Sequence, residues 1–218
     1  MENRRDVASR GKRIFHKISR KLIQMGLTPN MISVASVVFA AIAATGMYLA
    51  STGAVLIGMI LALIGIQMRL VCNLIDGLMA VEGGLSSPEG EIYNDVPDRF
   101  SDWFIILSMG FLAIKQFEQA WLICWVATTF AILTAYIRVL GASMGAGHNF
   151  NGPMAKQHRM AVVNISIVFT IIEHYFASDF LGISMLFGAC VIAIGSLATC
   201  FKRLVWIARE LKKPSSKT

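Results

Sequence analysis

The sequence predicts an all-α integral membrane protein, with six transmembrane helices preceded by an amphipathic N-terminal surface helix. Three observations predict it. Hydrophobic residues make up 56 % of the chain and charged residues 15 %, where a soluble domain carries about 25 % charge. Six apolar segments, roughly 31–51, 54–80, 96–114, 119–140, 160–177 and 181–201, are near the ~20 residues with which a helix crosses the hydrocarbon core. The positive charge is also gathered at the ends: eight of the 20 Lys/Arg lie in residues 4–21 and six in 202–217. A net charge of +7 could suggest nucleic acid, but such terminal clusters suit an anionic membrane surface instead, so no nucleic-acid partner is expected.

Residues 9–27 contain Ile14, Ile18 and Leu22, four apart, among Arg10, Lys12, Arg13, Lys17, Arg20 and Lys21. That spacing puts the apolar side chains on one face of a basic helix, the pattern of a helix lying in the membrane interface. Thr28-Pro29-Asn30 ends it, because proline disfavours helix at the residue before it. The six apolar segments follow as helices, since lipid offers no partners for an open backbone. Their connections near 52, 116 and 178 are short; 81–95 and 141–159 are long, polar and glycine-rich. Six crossings put both termini and both long loops on one side. That side holds every Lys/Arg cluster, and the other holds only Lys115. The bias places that side in the cytoplasm, with a bacterial inner membrane as the expected location. The domain division is 1–29 as surface segment, 30–204 as a six-helix domain and 205–218 as a cytoplasmic tail. Cys72, Cys124, Cys190 and Cys200 sit in or beside apolar runs, without zinc or disulfide-framework spacing, and read as small hydrophobes.

Residues 69–102 break the apolar pattern. They hold seven of the 13 acidic residues, with Asn73, Asn94, Arg69 and Arg99. Acids at the edge of apolar helices are costly and suggest a functional site. Arg69, Asn73, Asp76 and Ala80 follow at spacing 4, 3, 4, one stripe of a helix. Asn94 and Asp98, four apart, begin the next crossing. The two helices are expected to be antiparallel neighbours, so these oxygen-bearing side chains can converge; carboxylate and amide oxygens suit hard cations. Between them, Gly83, Gly84, Ser86, Ser87, Pro88 and Gly90 form a loop whose backbone could approach a phosphate. Arg69 is expected to pair with Asp102, either as a structural bond or leaving Arg69 to contact a phosphate. Pro97 either kinks the third crossing or opens it; in the second case Asn94 falls in the loop.

The stretch resembles the signature of the CDP-alcohol phosphotransferases, D-x2-D-G-x2-A-R-x8-G-x3-D-x3-D. Laid on this chain it gives Asn73, Asp76, Gly77, Ala80, Val81, Gly90, Asn94 and Asp98, with every spacing preserved and five of the eight fixed positions matched in type. The crossings, the basic surface helix and the Thr28-Pro29-Asn30 lead-in are also similar to the family. The resemblance implies transfer of a phosphatidyl, or similar substituted phosphate, group from a CDP-linked donor such as CDP-diacylglycerol to an alcohol, with release of CMP. It implies Mg²⁺ or Mn²⁺, one or two ions, held by Asn73, Asp76 and Asn94. Asp98 is implied as the base and as a further ligand. Gly77, Ala80 and Gly90, with Ser87 in the same loop, fall to the nucleotide and diphosphate. A homodimer is implied as well.

This chain departs from the pattern. Asn73 and Asn94 stand where the family has Asp, and Val81 where it has Arg. Asn is an oxygen ligand that neutralises no charge. Three outcomes follow: a reduced metal count, compensation by nearby acids, or a catalytically silent subunit that binds a CDP-lipid or head group. Glu91, Asp95, Asp98 and Asp102 recur at spacing 4, 3, 4, so Asp95 or Glu91 is a candidate to assist the metal site; alternatively both are solvated at the helix start. The loop 138–161 carries Arg138, Lys156 and Arg159, candidates to bind the donor's phosphates or a phosphorylated acceptor, although positive charge on the cytoplasmic side would place them there regardless. A transporter is disfavoured because no matching polar track runs through the other crossings.

Overall fold

A computed structural model describes residues 13–81, 83–85 and 88–213. Eight α-helices account for most of them: α1 Arg13–Gln24, α2 Pro29–Ser51, α3 Val55–Val81, α4 Gly90–Ser108, α5 Gly110–Ala113, α6 Ala120–Ser143, α7 Lys156–Phe176 and α8 Ile183–Leu211. A single 3₁₀ turn, Ser178–Phe180, joins the last two. No strand occurs among the described residues.

Helix α2 starts where the sequence signals it. Pro29 occupies its first turn, and the Thr28 hydroxyl accepts from the Met31 N–H at 3.3 Å. A side-chain cap and a proline at that position both suit a helix start. α2 then packs along α3 through small residues. A Cβ on Gly46 would lie 2.6 Å from the Gly58 carbonyl oxygen and from the Ala62 nitrogen, and one on Gly65 would lie 2.7 Å from the Ala43 nitrogen. The two backbones touch because these positions lack side chains, the packing mode of apolar helices in lipid. The buried core continues through Met47, Met59, Ile66, Ile105, Met109 and Ile167.

Among the described residues, five helical segments are long and apolar enough to cross a membrane: Pro29–Ser51, Val55–Val81, Ala120–Ser143, Lys156–Phe176 and Ser178–Leu211. The expected third crossing, 96–114, is not among them. It is divided between α4 and α5 at Met109, and α4 carries Glu91, Asp95, Asp98, Arg99 and Asp102, which lower its hydropathy. Pro97 lies inside α4, which begins at Gly90. Asn94 is therefore helical, and the alternative in which Pro97 opens the helix is set aside.

One end of the bundle gathers the end of α3, the start of α4 and the start of α7. The opposite end is closed by Glu173. Its carboxylate accepts from the Gly182 and Ser184 N–H groups, both at 2.8 Å, and from the Ser184 hydroxyl. A carboxylate at the start of α8 satisfies donors that the helix leaves open and complements its dipole. Gly182 adopts φ +100°, and a Cβ there would lie 2.2 Å from the Leu112 carbonyl oxygen, so no larger residue fits that turn.

Helix α1 packs against α3. Ser19 is buried, and Ile23 reaches Gly83, where an added Cβ would lie 2.8 Å from Ile23 Cδ1. Ile14 and Ile18 face outward, 62 % and 38 % exposed. The N-terminal part of the expected surface segment, and the end of the tail, lie outside the described residues. The four cysteines are free thiols, three of them buried.

Candidate functional site

The site is built from the α3 stripe facing α4. Arg69 is fully buried. A buried guanidinium needs acceptors for its N–H groups and is best held by carboxylates, and here a single nitrogen finds two. Its Nη2 donates to Asp98 Oδ1 at 3.3 Å and to Asp102 Oδ1 at 3.0 Å. The expected Arg69–Asp102 pair is present, and it extends one turn further to Asp98. Asp102 receives a second cation from α7: Arg159 Nη2 donates to its Oδ2 at 2.7 Å. Arg159 also donates to the Met154 carbonyl at 3.1 Å and the Thr134 hydroxyl at 3.3 Å. Arg99 lies 3.9 Å from both Asp98 and Asp102. α3, α4 and α7 are thus tied by charged groups that cannot separate without leaving a charge unpaired in a buried position.

Asp98 is the centre. Asn73 Nδ2 donates to Oδ1 at 3.1 Å, beside Arg69. Lys156, the first residue of α7, places its ammonium on Oδ2. Both carboxylate oxygens are therefore engaged. Asp76, one turn along α3 from Asn73, is buried and accepts from the Ser33 hydroxyl of α2 at 2.5 Å. Beside it, a Cβ added to Gly77 would meet nothing within 4 Å, so open space adjoins the α3 stripe at this level. Ala80 is half-buried, and Gly90 opens α4. Ser87 lies outside the described residues.

The other expected ligands are placed differently. Asn94 is exposed and makes no side-chain hydrogen bond among the described residues. Asp95 turns to α6, where Arg138 Nη2 donates to its Oδ1 at 2.8 Å and its Oδ2 at 2.6 Å; Arg138 also lies over the Phe150 ring, 5.2 Å from its centroid. Asp95 is thus held in an ion pair with Arg138. The three basic candidates for phosphate are each already held by an acid: Arg138 by Asp95, Lys156 by Asp98 and Arg159 by Asp102.

Two further residues belong to the site. Ser33 is a polar side chain near the start of an otherwise apolar helix, and that was its only signal in the sequence. Arg203 of α8 is buried, donating to the Thr134 carbonyl at 2.5 Å and the Asn151 carbonyl at 3.2 Å, with no carboxylate partner among the described residues.

These residues do not fit a pair of divalent ions. Only Asp76 and Asp98 remain of four carboxylates, and Asp98 is covered by three donors. The amide of Asn73 meets Asp98 as a donor. No group of three or more His, Cys, Asp or Glu able to hold a metal occurs among the described residues. An ion arriving about 4 Å from the Lys156 ammonium would meet roughly 4 kcal/mol of repulsion per unit of its charge, taking an effective dielectric near 20.

The fold is shared with solved structures. The chain matches the crystal structure of Mycobacterium tuberculosis phosphatidylinositol phosphate synthase (PgsA1) with CDP-DAG bound, with a TM-score of 0.71 at 19 % identity, over 89 % of this chain and 94 % of that one. It matches the same synthase in complex with manganese and citrate with a TM-score of 0.69 at 18 % identity, over 89 % and 88 % of the two chains. Against the apo form the TM-score is 0.67 at 19 % identity, over 88 % and 95 %. No family model and no curated protein sequence matches the chain. In fold, then, the chain is similar to this phosphatidylinositol phosphate synthase.

Proposed function

We propose that this protein transfers a phosphatidyl, or similar substituted phosphate, group from a CDP-linked lipid, CDP-diacylglycerol first among them, to an alcohol hydroxyl with release of CMP. The observation that carries the reading is the contact between Asn73 and Asp98. It brings the first and last positions of the signature together on a fold shared with a synthase that binds CDP-DAG. The acceptor oxygen forms a bond to the phosphorus next to the lipid, the bond from that phosphorus to the CMP oxygen breaks, and the hydroxyl proton passes to Asp98. A carboxylate can serve so when the hydroxyl is held within hydrogen-bond reach. Gly77 leaves backbone open to the diphosphate, and Arg138, Lys156 and Arg159 supply positive charge around it. The fold neighbour is in complex with manganese, which supports use of a divalent cation, as one ion rather than a pair.

The chain sits in a bacterial inner membrane with both termini cytoplasmic, as the Lys/Arg bias supports, and pairs as a homodimer. Six crossings are supported by length. α4 and α5 together run from Gly90 to Ala113, about 36 Å at a rise of about 1.5 Å per residue, which exceeds the ~30 Å hydrocarbon core. α1 lies in the interface, with Ile14 and Ile18 turned to lipid. The domain division is 1–29, 30–204 and 205–218.

A second reading, a silent subunit that binds the CDP-lipid or its head group, is favoured by Asn73, Val81 and Asn94 and by the ammonium on Asp98. Incubating the purified protein with CDP-diacylglycerol, Mg²⁺ or Mn²⁺ and a panel of alcohols, and measuring CMP, separates the two. CMP release that depends on the acceptor is expected. Donor binding without CMP from any acceptor would establish the silent subunit instead.

A further inference from the structure

The α3–α4–α7 junction is charged in a way that its resemblance does not explain. Three carboxylates, Asp76, Asp98 and Asp102, are surrounded by Arg69, Arg99, Lys156 and Arg159. Arg203 adds a further buried cation without a carboxylate partner among the described residues. The junction is therefore positive before any ligand arrives. Lys156 is the informative member. It begins α7, and a cation in the first turn of a helix opposes the helix dipole. Its ammonium rests on Asp98, yet the side chain is 28 % exposed, so it faces both the buried network and the open side. Arg99, 22 % exposed, flanks it.

We propose that Lys156 is a resident cation standing where a divalent ion would otherwise bridge Asp98 to the lipid-linked nucleoside diphosphate, so that this chain binds that diphosphate without a metal pair. The inference rests on the reading of the site as one for a CDP-linked lipid. Its chemistry is simple. The diphosphate brings negative charge, and an ammonium and a guanidinium are its natural partners where two of the family's carboxylates are amides. The four-carbon stem lets the Lys156 ammonium turn from Asp98 Oδ2 to a phosphate oxygen. That turn frees Oδ2, so arrival of the donor uncovers the group that receives the acceptor's proton. The ammonium then lies beside the departing CMP oxygen, which carries the electron pair of the broken P–O bond. The two asparagines fit this account: with Lys156 present, further carboxylates would bind the ammonium more tightly and hold it off the phosphate.

The test uses the full-length protein in detergent, with Lys156→Met, which keeps the stem and removes the charge, and Lys156→Arg, which keeps the charge. Two measurements are made: binding of CDP-diacylglycerol in EDTA and in Mn²⁺, and binding of Mn²⁺ alone by electron paramagnetic resonance. Wild type and Lys156→Arg should bind the lipid about equally in EDTA and in Mn²⁺. Lys156→Met should lose about ten-fold in EDTA and recover part of it in Mn²⁺, and should bind Mn²⁺ alone about ten-fold more tightly than wild type, the scale on which a neighbouring group alters metal affinity. The proposal is overturned if wild type loses the lipid in EDTA as Lys156→Met does, or if wild type binds Mn²⁺ as tightly as that variant. If Lys156→Met does not fold, wild type in EDTA against wild type in Mn²⁺ decides: loss of the lipid in EDTA overturns the proposal. If no protein binds CDP-diacylglycerol under any condition, the CDP-lipid reading fails, and the Mn²⁺ measurement alone still accepts or rejects the resident cation.

Discussion

The side-chain N–H of Asn73 on α3 donates to Asp98 Oδ1 on α4 at 3.1 Å. This one bond joins residues 25 apart in sequence and sets two helices in register across a long polar loop. It also defines what Asn73 does here. An aspartate at position 73 would repel Asp98 unless a cation lay between them, whereas the amide attracts it directly.

Replacing Asp98 by Asn keeps the shape and removes the basic oxygen. CMP release should fall by about 10²- to 10⁴-fold, the usual worth of a positioned general base, while CDP-diacylglycerol binding persists. Measurement of both on the same preparation checks this; unchanged CMP release would remove Asp98 from the base role.

Arg69→Met should be severe for a different reason. It leaves Asp102 and Asp98 with fewer partners in a buried setting, where breaking a charge pair costs about 3–5 kcal/mol. A large fall in the detergent melting temperature is expected even with lipid present. Variants whose melting point is unaltered would show that the α3–α4 bridge contributes little.

Asp95→Ala tests the acidic stripe. Asp95 is bound to Arg138 and is partly exposed, and such pairs are worth about 0.2–1 kcal/mol. CMP release should stay within about two-fold of wild type, a range that corresponds to under 1 kcal/mol. A loss like that of Asp98→Asn would return Asp95 to the metal or donor site.

Gly58→Leu addresses packing alone. Gly58 lies against the α2 backbone, with Ala50 nitrogen and Cβ in the way of any side chain. Overpacking costs about 1–3 kcal/mol, and more where backbone must move. The melting temperature should drop while any remaining folded protein keeps its affinity for CDP-diacylglycerol.

The sequence made some of this legible and hid the rest for identifiable reasons. Spacing along one helix was readable: Arg69, Asn73 and Asp76 share a stripe because 4 and 3 residues bring side chains back to one face. The Arg69–Asp102 pair was readable too, since a buried guanidinium needs an acid and depth along facing helices limited the choice. Pairings between distant elements were not. Lys156 reaches Asp98 across 58 positions, Arg138 reaches Asp95 across 43, and Ser33 reaches Asp76 across 43. Each depends on how α2, α6 and α7 are rotated against α3 and α4, which periodicity does not determine. Asp95 illustrates it: its spacing placed it on the acidic stripe with Asp98, but α6 presents Arg138 on that side and takes it. The segment 96–114 does not stand among the apolar spans of the described residues, because α4 carries Asp98 and Asp102, held against α3 and α7, and Asp95, held by α6.

Helix α7 carries Lys156 and Arg159 at one end and Glu173 at the other, and each end is fastened to a different neighbour: α4 at the first, the start of α8 at the second. A rod pinned at both ends cannot slide along its own axis, since a shift of one helical turn would tear both attachments at once. Any rearrangement around these carboxylates is therefore left to side chains, with the helix beneath them acting as a fixed rail.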